Sequence, residues 1–141
     1  MTLTDKLLII EVGLLVALAF GVLGLLGIVR VPLVTSRKVR LKDIALNDEG
    51  WPERARQLSN AFDNQLQLPV FFYVAAILTL ITGGAGWLEV IIGGVFVILR
   101  YAHAVIHVTD NNIPRRFIAY SVGFFILVAY WIVLAVRVML A

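Results

Sequence analysis

The chain has 141 residues, 61% of them hydrophobic and 15% charged, with a net charge of +3 and a mean hydropathy of +0.95. Soluble domains carry roughly 25% charged residues, so the chain reads as an integral membrane protein, and crossings of ~20 apolar residues each leave no room for a separate soluble domain. Cysteine is absent, which excludes disulfides, protein thiolate nucleophiles and Cys-based metal sites; the small positive charge, needed at membrane flanks, gives no support to nucleic-acid binding.

Leu7 to Val29 is an apolar run broken only by Glu11 and four glycines, and it predicts a first crossing over about residues 7–30. Ala17-Leu-Ala19 has the small-residue pattern of a leader cleavage site, but apolarity continues beyond it and the amino end carries only Lys6, so a retained helix is expected. Glu11 lies one to two turns inside the expected membrane edge, where it is read as a boundary carboxylate that reaches the interface or pairs with a neighbour. An ion-coupling carboxylate is the alternative reading.

Arg30 to Trp51 is polar, with Arg37, Lys38, Arg40 and Lys42 followed by Asp43, Asp48 and Glu49, and with Pro32 and Gly50-Trp-Pro52 as breakers. This stretch and Asp110–Arg116 hold the basic residues of one side, while Lys6 and Arg137 flank the other. The positive-inside rule predicts cytoplasmic loops at 31–53 and 109–116 and non-cytoplasmic termini. The basic cluster is read as a topology signal whose arginines, Arg37 among them, can also reach an anionic ligand at the membrane surface.

The second crossing is expected over about residues 54–82, opened by Pro52. Arg56, Asn60, Asp63, Asn64 and Gln67 recur at spacings of three and four as a polar stripe, which must be buried against protein or line a polar cavity. Interhelical hydrogen bonding accounts for any one of these residues; the whole stripe, opposite a histidine–arginine face, points to a ligand site. Pro69 predicts a released carbonyl and a kink near mid-helix.

Thr82-Gly-Gly-Ala-Gly86 predicts a tight turn, Trp87 an interface anchor, and about residues 87–108 the third crossing, in which Gly93-Gly94 permits close helix approach. Arg100, His103 and His107 fall at i, i+3 and i+7 and share one face. A charged residue at mid-bilayer costs roughly 2.5–3.5 kcal/mol even on insertion scales, so that face must turn toward protein. His103 and His107 have a metal-compatible spacing, yet no Glu stands between them in the zincin pattern and no third ligand is apparent, so no metal site is read. The fourth crossing, about residues 115–137, follows Pro114. Its Arg115 and Arg116 lie about 100° apart on a helix, so that one snorkels to headgroups while the other faces inward. From Phe117 to Val136 it is uncharged and is expected to pack and contact lipid.

Asn64-Gln-Leu-Gln-Leu-Pro-Val-Phe-Phe-Tyr73 is similar to an Asn-Gln-Phe-Glu-x-Pro-Val-Leu-Phe-Tyr pattern of bacterial proteins. Arg100-x-x-His103, followed by His107 and Arg116, matches a prostaglandin synthase spacing without a gap. With its four crossings and long first polar loop, essentially the whole chain resembles the MAPEG superfamily, the membrane-associated proteins of eicosanoid and glutathione metabolism, in its small bacterial form. The resemblance implies an all-α integral membrane protein, a four-transmembrane-helix bundle assembled as a homotrimer and resident in a bacterial inner membrane. It implies glutathione as a thiol cosubstrate held between subunits, with Arg116 as the catalytic residue that stabilises its thiolate. Arg100, His103, His107, Asn64, Gln67, Asn60, Arg56 and Arg37 are the candidate cofactor-binding residues. The implied activity is a membrane-bound glutathione-dependent transferase or peroxidase acting on lipophilic electrophiles or hydroperoxides.

The chain departs from the family pattern at Gln67, where the family has an acid, at Asn60, where it has an arginine, and at His107, where it has a tyrosine. An alternative register takes Arg56, Asn60 and Asp63 as the arginine–asparagine–acid set; the first register is preferred because Pro69 and Tyr73 then also fit. The departures keep open a non-catalytic member that binds a lipid or partner in the same cleft. A small proton-coupled exporter using Glu11 is a further alternative.

Overall fold

Thr2 starts the first helix by a reciprocal cap: its hydroxyl accepts from the Asp5 N–H, and the Asp5 carboxylate accepts from the Thr2 N–H. In the computed structural model, which describes residues 1–140, the helix so begun, α1, runs Leu3–Thr35. It is longer at both ends than the apolar run alone predicts. Pro32 does not end it: only three further residues follow before the helix stops at Thr35. Further helices follow at Glu53–Asp63 (α2), Leu68–Ile81 (α3), Trp87–Val108 (α4) and Ile113–Leu140 (α5). Four stretches, Leu3–Thr35, Glu53–Ile81, Trp87–Val108 and Ile113–Leu140, are long and apolar enough to cross a membrane.

The second of these is interrupted. Helix α2 ends at Asp63, a tight turn covers Asn64–Leu66, and Gln67 leaves helical geometry with φ −101° and ψ −102° before Pro69 enters the first turn of α3. Pro69 therefore starts a new helix rather than kinking one from within, which is the position where a residue lacking an N–H costs least.

The segment between α1 and α2 is polar in composition but is tied down by apolar contacts. Val39, Trp51 and Ala55 are buried together against Val29, Leu33, Val34 and Ile44. Arg30 stacks over the Trp51 ring at 4.4 Å and reaches Asp48 at 3.0 Å.

The ends of the bundle are held by different chemistry. At the end carrying both termini, Thr4 donates to the Ala85 carbonyl at 2.6 Å and the Asp5 carboxylate accepts from the Ala85 N–H at 2.8 Å. There Arg137 reaches Glu89 at 3.0 Å and also donates to the Thr79 carbonyl and the Thr82 hydroxyl, each at 3.1 Å. At the other end, Arg54 donates to the Val108 carbonyl and Gln57 to the His107 carbonyl, so α2 caps the carboxyl terminus of α4.

Between these ends lies a core built on Phe72, which stacks on Phe96 at 5.2 Å and meets Tyr130 edge-on at 5.6 Å, while the Tyr130 and Thr79 hydroxyls share a hydrogen bond of 3.1 Å. Helix α4 runs through the centre. Its buried seam is Glu89, Gly93, Phe96, Arg100, His103 and His107, at alternating steps of four and three, the repeat that keeps one face turned to packed neighbours.

Glu11 departs from its expected role. It lies about 12 Å along α1 from the helix start at 1.5 Å per residue, is 92% buried, and its Oε2 has no hydrogen-bond partner among the described residues. Rather than reaching the interface or pairing with a charge, it fills the space left by Gly93, where a methyl group would overlap its carboxyl and crowd Phe72 at 3.2 Å. The glycine pair thus admits a side chain as well as a close helix.

Candidate functional site

The break between α2 and α3 defines the site. Where the helix ladder stops, the Asn64 carbonyl loses its helical donor and accepts instead from Arg100 Nη2 at 2.8 Å. Arg100 is 1% exposed. One of its nitrogens is satisfied in this way, whereas Nε and Nη1 have no partner among the described residues. The guanidinium thus holds the break together and keeps two nitrogens without a partner inside the fold.

His103 and His107 stand further along the same seam, both almost fully buried, with ring centroids 5.7 Å apart and nearly perpendicular planes. His103 also tilts against Tyr120 at 5.8 Å. Both ring nitrogens of His107 and Nδ1 of His103 lack partners among the described residues. Buried polar atoms are rarely left unpaired, and of the three side chains only His103 also lines a cavity.

Beside it is a cavity of about 210 Å³ lined by Asn64, His103, Ile113, Arg116, Phe117 and Tyr120. Arg116 is half-buried and directs Nη1 to the Asn111 side-chain carbonyl. Its neighbour Arg115 is exposed and lies 3.8 Å from Asp110. The two arginines therefore divide as their angular separation predicts, one outward and one inward.

The remaining predicted residues are placed differently. Arg56 and Asn60 are exposed and line a separate hollow of about 240 Å³ with Asp48, Glu53, Gln57 and Asn111. Asn64 lines the Arg116 cavity, although its side-chain amide turns back to the Asn60 carbonyl at 2.8 Å, and its own backbone carbonyl meets Arg100. Gln67 and Asp63 are exposed, and Arg37 sits in the loop after α1 with φ +58°, exposed and among neither set of lining residues. The structure thus gathers Arg100, His103, His107, Asn64 and Arg116 within one chain and leaves Arg56, Asn60, Gln67 and Arg37 on its surface.

Several residues of this region were not singled out as site residues. Tyr120 and Phe117 line the cavity from a helix read as uncharged packing surface; Tyr120 follows Arg116 by four residues, and that i, i+4 relation is the signal that finds it. Gln65, 1% exposed, is the buried amide of the broken segment. Its Nε2 donates to the Ala61 carbonyl at 3.0 Å and its Oε1 lacks a partner among the described residues.

No curated protein and no solved structure matches the chain. The model of the MAPEG family matches residues 8–136, a stretch that takes in the second and third crossings whole, most of the first and last, and every residue of the Arg100–Arg116 constellation. On this match, the chain is a multi-pass membrane protein that belongs to the MAPEG family.

Proposed function

We propose that the protein is a glutathione-dependent membrane transferase or peroxidase whose thiol site is the Arg116 cavity. The observation that carries this reading is the Arg116 guanidinium itself. It is half-buried, opens on the cavity shared with His103 and Asn64, and has no ion-pair partner among the described residues. A guanidinium in low dielectric favours an anion beside it, and a thiolate is the anion that the family's chemistry supplies.

The donor set fits such a ligand. Arg100 and the two histidines offer unsatisfied nitrogens, and a tripeptide thiol with two carboxylates brings acceptors to match. Arg116 holds the sulfur end as an anion, while His103 and Asn64, which line the same cavity, orient polar groups of the same ligand and Arg100 braces the Asn64 backbone from behind. Bound glutathione supplies the nucleophilic or reducing thiol. The lipophilic reactant suits the apolar groove of about 490 Å³ lined by Leu68, Phe71, Phe124, Leu127 and Trp131 on α3 and α5.

A homotrimer is part of this reading. Arg56, Asn60, Asp63 and Gln67 are exposed in the polar first half of a membrane-crossing stretch, a row of polar groups suited to a protein neighbour. A neighbouring subunit over this face brings Arg56 and Asn60 into a shared glutathione site. The basic loop 31–53 and the turn 109–116 lie on the cytoplasmic side in this arrangement, in a bacterial inner membrane.

A second reading, a lipid-binding member without catalysis, is favoured by the same apolar groove and by His107 in place of the family's tyrosine. One experiment separates the two: glutathione is added to the detergent-solubilised protein while the ultraviolet thiolate band is followed, with Arg116→Ala in parallel. The expected result is a band in the wild type and its loss in the variant, equivalent to a rise of about one to three units in the thiol pKa. A wild-type protein that binds lipid but shows no glutathione binding and no band establishes the second reading.

A further inference from the structure

We infer that Asn111 is the positioning residue for Arg116, a neutral tether that aims the guanidinium into its cavity without cancelling its charge; the inference rests on the proposed thiol site. Asn111 lies in the turn between α4 and α5 with φ +51°, in the left-handed region, where asparagine is among the few side chains that fit readily. Its N–H closes back on the Ile106 carbonyl at 2.8 Å. Its side-chain Oδ1 accepts from Arg116 Nη1. One residue therefore joins the end of the helix bearing the histidines to the arginine on the next helix.

The surrounding turn makes this contact selective. Asp110, the adjacent carboxylate, lies 3.8 Å from the exposed Arg115 and accepts from the Asn112 N–H at 3.2 Å. The Asn112 side chain accepts from the Arg115 N–H at 3.0 Å, and its backbone carbonyl accepts from the Arg116 N–H at 2.9 Å. The carboxylate thus stands within ion-pair range of the outward arginine, and a neutral amide bonds the inward one. A guanidinium has five N–H donors. Anchoring it through Asn111 limits its rotamers and leaves other donors, and the full positive charge, for an anion. A carboxylate at the same place would hold the same geometry and neutralise it.

Asn111 also lines the hollow that contains Arg56 and Asn60, so the Asn111–Arg116 hydrogen bond joins a residue of that hollow to a residue of the Arg116 cavity. A ligand extending across both would pass along this bond. The position is therefore suited to register the sulfur end of a ligand against the rest of it.

The test uses the purified full-length protein and glutathione, reading the pH midpoint of the bound-thiolate band and the binding isotherm. Asn111→Gly keeps the left-handed backbone and removes the tether together with the amide that lines the second hollow; it should raise the midpoint by about half to one unit, a three- to tenfold loss of thiolate at fixed pH. Asn111→Asp should raise it further, by about one to two units, through charge neutralisation. In an Arg116→Ala background, Asn111→Gly should add nothing, which separates positioning from a general loosening of the turn. Thermal melting without glutathione identifies a misfolded variant, and Asn111→Asp, of nearly unchanged volume, then decides by the same midpoint. A wild-type band abolished by Arg116→Ala but unmoved by either Asn111 change overturns this inference alone. Absence of the band in the wild type overturns the thiol site, and the inference with it.

Discussion

The Glu89 carboxylate and the Arg137 guanidinium meet at 3.0 Å between α4 and α5, with the Glu89 side chain only 5% exposed. Arg137 also holds the Thr79 carbonyl, the Thr82 hydroxyl and the Gly84 carbonyl, so one side chain gathers the α3–α4 turn onto the last helix. Removing one partner of a buried pair leaves the other uncompensated, at about 3–5 kcal/mol. Because Arg137 is partly exposed and keeps three further acceptors, Glu89→Ala should cost less, about 2–3 kcal/mol, and Glu89→Gln less again. Thermal unfolding in detergent reads the order; equal stability of all three proteins would show that the pair contributes nothing.

The contact between Glu11 and Gly93 gives a second prediction. A methyl group at Gly93 overlaps the Glu11 carboxyl, so Gly93→Ala should destabilise by about 1–3 kcal/mol, as overpacking does. Glu11→Ala should recover part of that loss in the double variant, because it vacates the volume in dispute. Glu11→Gln, which keeps the shape, should leave glutathione binding as it is. Failure of Glu11→Ala to rescue would mean that the two helices do not meet at this point.

The third prediction concerns the carboxyl end of α4. Gln57 donates to the His107 carbonyl at 2.7 Å and Arg54 donates to the Val108 carbonyl, each replacing a donor that the helix itself no longer has. Gln57→Ala should cost about 1–2 kcal/mol and should speed amide exchange in residues 107–112 well above that in the core of α4. Uniform exchange rates across α4 in the variant would remove Gln57 from any role as a cap. The consequence for function follows from continuity: the turn that Gln57 steadies also carries Asn111, and hence Arg116.

The residues that the sequence brings into view and those that the structure gathers overlap only in part. Arg100, His103 and His107 announce themselves because charge and imidazole at helical spacing have no solvent to face in a membrane. Gln67 and Asn60 stand out equally as members of a stripe, yet the stripe puts both on one helix face with a kink only at Pro69, whereas the break falls before Gln67. The turn at Asn64–Leu66 and the irregular Gln67 change the angular relation between the residues on either side, burying Gln65 and exposing Gln67. Pro69 signalled an irregularity. Its location at the start of a new helix depends on Arg100 taking up the Asn64 carbonyl, a contact between residues 36 positions apart.

Composition and hydropathy determined the membrane class and the four crossings, because an apolar run of this length has no other stable environment. The spacing of polar residues on the second and third crossings was enough to identify the MAPEG family. Tertiary structure alone decided that Glu11 is enclosed against glycine, that Arg137, in the last turn of α5, also ties Glu89 and the α3–α4 turn to that helix, and that Asn111 holds Arg116. Each of these depends on which helix face meets which neighbour. An apolar helix contains little that specifies this from its own residues, because lipid and protein interiors are equally hospitable to its side chains.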